Sequence, residues 1–496
     1  MNQSLPASVR SVSLLAMVCI AIGVSVPSFL PVRLVAQAAP PSVVDGNLAV
    51  RTVVSGLALP TALTFLGPDD FLILEKETGQ VKRVTRGVVA ATVLDLDVNF
   101  ASERGLLGIA LHPDFPRNPG VYLYWTESAT GGDTNVLAAV ELLGNRVDRF
   151  EWDAAAGTLT LEANLIRLRA FQADAGQPAR GNHDGGMLRF GPDGKLYIFI
   201  GDVGRRGWMQ NLPCGPTATC PGATVADDQF GGPAPDDAHL TGVVLRLNDD
   251  GSTPADNPFV AAGAAIAGEA GENIQKVFAY GMRNSFGMDF DPRSGDLWLE
   301  QNGDDSFTEI HRVTAGLNGG WIQIMGPVGR LAQFKSIETT PPFDGLQQVR
   351  WPPQNIASSP QEALGRLFML PGAHYADPEF AWKFEVAPAG LGFLDGRALG
   401  PQYDGDLFLG AARPTLEGGQ LFRFNLTGNR RKVGVDDPRL EDRVADNLAK
   451  FEITESETLL FGRNFGVGTD IVTAPDGTLY VVSLSNGAVY QIHRAR

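Results

Sequence analysis

The chain has 496 residues, 44% of them hydrophobic, and a formal net charge of −16. That balance excludes nucleic acid and an anionic membrane surface as partners, because both repel an acidic protein. With 58 glycines and 33 prolines, the chain reads as globular and turn-rich, with few amphipathic helices.

At the start, Arg10 precedes an apolar run from Val12 to Val24, and a looser stretch leads to Ala36-Gln37-Ala38, a small-x-small cleavage pattern. Residues 1–38 therefore read as a secretory signal. An uncleaved membrane anchor is the alternative, disfavoured because the apolar run is short and interrupted by Ser and Gly. No later stretch is apolar enough to span a bilayer, so the expected location is secreted or periplasmic. Cys19 lies in the signal, which leaves Cys214 and Cys220 in a Gly/Pro/Thr loop. In an oxidising compartment these two would close a small loop-stapling disulfide.

From Ala62 onward one pattern recurs: an apolar strand, a Pro/Asp/Gly turn and a second apolar strand. Its copies begin at Ala62, Gly108, Met187, Gly287, Gly390 and Asp470. Most are followed by a third strand-like run with a basic residue, such as GVVLRLND or GQLFRFNL. Six hairpins, each with an outer strand, predict an all-β fold, a six-bladed β-propeller over residues 39–496. Propellers place function in the loops at one mouth of the central channel, so polar residues at equivalent blade edges converge there.

The third copy carries the most chemistry. Gly181 to Gly204 reads GNHDGGMLRFGPDGKLYIFIGDVG, two strands around a Pro192-Asp193-Gly194 turn. A hairpin folds its far ends together, which brings His183 beside Asp202. A carboxylate that accepts an imidazole N–H fixes the tautomer and makes the other nitrogen a better base. The plainer alternative is a surface histidine and a turn aspartate. Other blade edges hold Glu103-Arg104-Gly105, Arg283-Asn284 and Arg413. In the loop after the fourth hairpin, Asp304, Asp305 and Glu309 are hard oxygen donors suited to calcium rather than zinc, without the spacing of an EF-hand.

Taken in order, ERGLLGIALHPDF, the His183 hairpin, VVLRLNDDGSTPADNPF, YGMRNSFGMDFDPRSGDLWLEQNG and EIHRVTAGLNGGW resemble the soluble quinoprotein glucose/sorbosone dehydrogenase family across most of residues 50–490. The resemblance implies a six-bladed propeller that binds pyrroloquinoline quinone (PQQ) and calcium. It also implies oxidation of the anomeric carbon of an aldose to a lactone, with electrons passed to an external acceptor. On this resemblance His183 is the general base and Asp202 its support, while Arg283, Asn284, Glu103 and Arg413 contact the cofactor. Gly303 and Asp304 fall where backbone carbonyls hold the calcium, and the segment from Val386, after Trp382, matches that beside the sugar.

Three departures stand out. Val467 and Thr469 occupy positions where the family carries an arginine pair for the cofactor carboxylates, Met282 replaces a common histidine, and Gly319 replaces a common tyrosine. Two alternatives therefore accompany the dehydrogenase reading: a propeller retained as a binding or adhesion module without PQQ, and a calcium-dependent lactonase-type hydrolase, the latter by fold analogy alone.

Overall fold

Each Pro/Asp/Gly turn does locally what its residues dictate. In the computed structural model, Leu188–Phe190 pairs antiparallel with Leu196–Ile200, and Gly194 between them sits at φ 71°, a conformation that costs a Cβ-free residue little. Asp193 rigidifies the turn by accepting from the backbone N–H of Lys195 at 3.1 Å and the Tyr197 hydroxyl at 3.0 Å. The chain then continues outward, Leu196–Ile200 pairing with Val243–Leu247 and that strand with Val277–Tyr280. The structure describes residues 39–171, 181–204, 211, 240–342, 353–412 and 418–495. The signal reading of residues 1–38, the Cys214–Cys220 pair and Arg413 lie outside the described residues.

The architecture is an all-β propeller. Among the described residues, six sheets have four or more strands, and a two-stranded ribbon accompanies them. Their inner strands are Pro60–Gly67, Leu106–Leu111, Leu188–Phe190, Met288–Phe290, Pro388–Phe393 and Gly468–Thr473. Each packs against the next and the last returns to the first, so the sheets form a closed ring. Leu196–Ile200, Leu297–Gln301, Leu407–Ala411 and Leu479–Ser483 are buried at every position. Sheets stacked face to face cover both sides of these second strands, which is why they are apolar runs instead of alternating patterns. The ring is fastened by its ends: Leu48–Ser55 pairs with Ala488–Arg494 as the outer strand of the last sheet.

The channel itself is closed by charge. Arg189 donates to Asp470 Oδ1 at 2.7 Å and lies 3.5 Å from Asp289 Oδ1. Asp470 Oδ2 accepts from Leu63 N at 3.0 Å, and Asp289 Oδ2 from Phe393 N at 3.1 Å. Five of the six inner strands are thereby tied through three side chains. Burial disfavours the guanidinium charge, yet Asp470 and Asp289 hold the Arg189 pKa above its ordinary value. Below this network, at the mouth far from His183, Arg189, Asp289 and the ends of the inner strands line a cavity of about 370 Å³. Arg189→Met retains the apolar stem and removes the charge. It is expected to cost about 3–5 kcal/mol, as stripping one partner from a buried ion pair does, measured by denaturant unfolding. A loss below about 1 kcal/mol would show that the inner strands do not depend on this network.

Candidate functional site

The loops that enter the inner strands and those that leave the second strands meet at one mouth. Here the hairpin geometry brings His183 and Asp202 together: Nδ1 lies 2.6 Å from Asp202 Oδ1, and both side chains are buried. His183 sits at φ 62°, an unusual conformation for a non-glycine residue and one that functional sites often hold. Its backbone N–H donates to Glu103 Oε2 at 2.6 Å, which anchors it to the preceding blade. Asp202 is fixed in turn: Oδ1 accepts from Gly204 N at 2.7 Å, and Oδ2 accepts from the indole Nε1 of Trp321 at 2.8 Å. With both oxygens engaged by donors, the carboxylate favours the Nδ1–H tautomer and leaves Nε2 as the proton acceptor.

Glu103, Arg283 and Asn284 join this group. Glu103 Oε2 also accepts from Asn284 Nδ2 at 3.2 Å, so one carboxylate staples loops of three blades. Asn284 Oδ1 is buried without a hydrogen-bond partner, which leaves an acceptor for a ligand N–H or O–H. The Arg283 guanidinium lies 5.6 Å over the Trp321 ring. It donates to Asn302 O and to Asp304 Oδ1, each at 3.1 Å. The backbone of Arg283 is held as well, its N–H by Gln301 Oε1 at 2.7 Å and its carbonyl by Asp202 N at 2.7 Å.

The acidic loop is arranged differently from its linear order. Asp304 and Asp305 converge with Glu338, their ligand oxygens within 4.8 Å of one another. Glu309 does not join them. Its carboxylate accepts from Gln301 Nε2 and lies 3.0 Å from His311 Nε2, and it also accepts the Gly326 N–H. Side chains alternate along the strand Ser306–Val313, and Phe307 at φ 57° interrupts the alternation between the loop and Glu309. Gly303 is confined to glycine by contact, since a Cβ there would lie 2.0 Å from Ser306 O.

Two residues of the site carried little sequence signal. Glu338 ends a helix with no motif around it; Trp321 was visible only as the tryptophan of Gly319-Gly320-Trp321. The buried carboxyls near the mouth are shifted upward. Burial pushes Asp184 to about 6 against the pull of Arg104, and Glu385 to about 7 against Lys450. Burial, with Asp304 nearby, pushes Glu338 to about 8.

Comparison with known proteins agrees with this geometry. The family model for glucose/sorbosone dehydrogenases matches residues 57–342. Quinoprotein glucose dehydrogenase B of Acinetobacter calcoaceticus is 32% identical over 288 residues, 56% of this chain and 53% of that relative, so the match spans about half the relative's length. An aldose sugar dehydrogenase of Escherichia coli K12 is 24% identical over 92% of this chain and 95% of its own. The PQQ-bound aldose sugar dehydrogenase structure from Streptomyces coelicolor shares the fold with a TM-score of 0.53 at 22% identity, covering 90% and 98% of the two chains.

Asp184 provides a test of how far burial controls the site. A carboxyl whose folded pKa is raised binds its proton more tightly folded than unfolded, so its contribution to stability falls as pH rises from about 4 to about 6. The stability difference between the native protein and Asp184→Asn is therefore expected to change by about 2–3 kcal/mol across that window. A difference that stays constant from pH 4 to 7 would contradict the shift.

Proposed function

This chain belongs to the glucose/sorbosone dehydrogenase family, and on that premise we propose that it is a secreted or periplasmic sugar dehydrogenase, dependent on PQQ and calcium. It oxidises the anomeric carbon of an aldose to a lactone and passes electrons to an external acceptor. We also read the six sheets as six blades of one domain spanning residues 39–496. The cyclic packing of the inner strands supports that count, and no helix among the described residues is long and apolar enough to cross a membrane.

The observation that carries the proposal is the buried His183–Asp202–Trp321 relay. A binding module has no need of an imidazole held in one tautomer with a free nitrogen at the mouth of a channel. In the proposed reaction His183 Nε2 takes the proton of the anomeric hydroxyl, and Asp202 stabilises the imidazolium that results. PQQ, when bound, supplies the two-electron acceptor for the hydrogen that leaves the carbon. Arg283 and the amide of Asn284 offer polar contacts to the cofactor edge, where a planar guanidinium suits a carboxylate or quinone. The segment Pro388–Phe393 is buried and is proposed to border the sugar.

The residues present fit the polar edge of the cofactor but not all of its charge. Thr469 Oγ1 donates to Pro60 O at 3.3 Å, and Val467 is apolar. Arg463, the nearest cation in sequence, is exposed on Leu460–Arg463, the fourth strand of its sheet counted from the channel.

Two experiments test the reading. His183→Ala is expected to lower turnover of PQQ-loaded protein by about 10²–10⁴-fold, the usual range for loss of a general base, in an aldose assay with a dye acceptor. Near-normal turnover would remove His183 from the reaction. Thr469→Arg is expected to tighten PQQ binding about tenfold or more in calorimetric titration, since a charged hydrogen bond contributes about 1.5–3 kcal/mol. Failure of both the native protein and this variant to bind PQQ would favour the binding-module reading, to which the uncharged Val467 and Thr469 already lend weight.

A further inference from the structure

The mouth of the channel contains more buried acid than its hydrogen bonds explain. Glu338 has no exposed surface. Its Oε1 accepts from the hydroxyl of Ser306 at 2.6 Å and from Ser306 N at 3.1 Å, whereas Oε2 is buried with no hydrogen-bond partner. The residue ends the helix Leu331–Glu338, where the negative end of the helix dipole disfavours a carboxylate. No basic side chain among the described residues forms an ion pair with it. A buried acceptor left open at that position points to a positive group absent from the protein itself.

The neighbours of Glu338 supply the rest of a coordination shell. One oxygen each from Asp304, Asp305 and Glu338 lies within 4.8 Å of the others. Ligand oxygens around a calcium ion stand about 2.3–2.6 Å from it, so pairs on opposite sides are separated by up to about 5 Å. All the donors are hard oxygens, which suits calcium and disfavours zinc. The two cations nearby are committed elsewhere: Lys450 donates to Asp305 Oδ1 at 2.6 Å and to Asp304 O at 3.0 Å, and Arg283 donates to Asp304 Oδ1 at 3.1 Å.

This last contact carries a consequence for the ligand. While Asp304 holds its guanidinium, Arg283 presents a neutralised pair rather than a free positive charge to an anion. We propose that Asp304, Asp305 and Glu338 form a divalent-cation site, and that the ion, by engaging the Asp304 carboxylate, releases Arg283 to meet an anionic ligand. The site differs from the carbonyl cradle implied for Gly303 and Asp304 in using side chains and in recruiting Glu338 from a helix distant in sequence. The release of Arg283 rests on the dehydrogenase reading, in which the ligand is a carboxylated cofactor; the cation site does not.

Linkage makes both parts measurable. If the cation improves anion binding by a given factor, the anion improves cation binding by the same factor. Calcium chloride is titrated calorimetrically into the full protein without PQQ or sugar. One ion per chain is expected to bind at this site, with an accompanying rise in thermal midpoint. Glu338→Gln, which retains an acceptor for Ser306, is expected to weaken calcium at least tenfold while melting normally without calcium. Asp305→Asn is the second variant and is expected to weaken it likewise. Absence of binding to the native protein, or undiminished binding by both variants, would overturn the cation site. PQQ titrations with and without calcium then test the release. At least tenfold tighter PQQ binding with calcium in the native protein, and little change in Glu338→Gln, is the expected result. PQQ affinity indifferent to calcium, or no PQQ binding in either condition, would overturn the release of Arg283; the calcium titration alone decides the site.

Discussion

The ring depends on how its inner strands meet at the axis, and there the deciding interaction is the Arg189 guanidinium shared between Asp470 and Asp289. Six strands converging on one channel bring backbone against backbone. Gly108 and Gly392 show how close that approach is, since a Cβ at either would lie within about 2 Å of a carbonyl oxygen, Gly186 O or Ile471 O. Packing this tight leaves no room for large apolar side chains to seal the axis. Charge does so instead, and because both aspartates also accept backbone N–H groups of neighbouring inner strands, every partner is satisfied as burial requires.

Closure at the axis determines where chemistry can occur. With the far part of the channel occupied by the ion network, the opposite mouth remains as the place where six sets of loops face one another. Three of these loops hold each other through a single carboxylate, Glu103, which binds the backbone of His183 and the amide of Asn284. Trp321 performs a similar task between Asp202 and Arg283, as a hydrogen-bond donor to one and a flat support for the other. Each reactive group is thus set by residues from other blades, which is the arrangement that keeps a site within the narrow tolerance catalysis needs.

The same mouth concentrates acid at a cost to stability. Glu300, Glu338 and Glu385 are all buried, and burial raises the pKa of each. Glu300 is satisfied by donors from Phe286, Ser285 and Asn302, and Glu385 by the Thr308 hydroxyl and the Ala387 N–H. Glu338 keeps one oxygen open. A fold that retains such an unpaired group gives up stability for something its own contacts do not supply.

How much of this was legible beforehand follows from the range of each interaction. The hairpins, and with them the meeting of His183 and Asp202, are written in adjacent residues: a Pro-Asp-Gly turn and two short apolar runs suffice to fold the ends together. The repetition of that unit likewise implied a ring of sheets. Glu309 shows where local reading stops, because the left-handed turn at Phe307 reassigns which carboxylates share a face. Glu338, Trp321 and the Arg189 network lay further out of reach, since each acts on residues brought near only when separate blades close on one axis. Turn chemistry and strand pattern are properties of a few neighbouring residues, so sequence determined them; which groups then faced one another across the mouth was decided by the closure of the ring, whose geometry no single stretch of the chain contains.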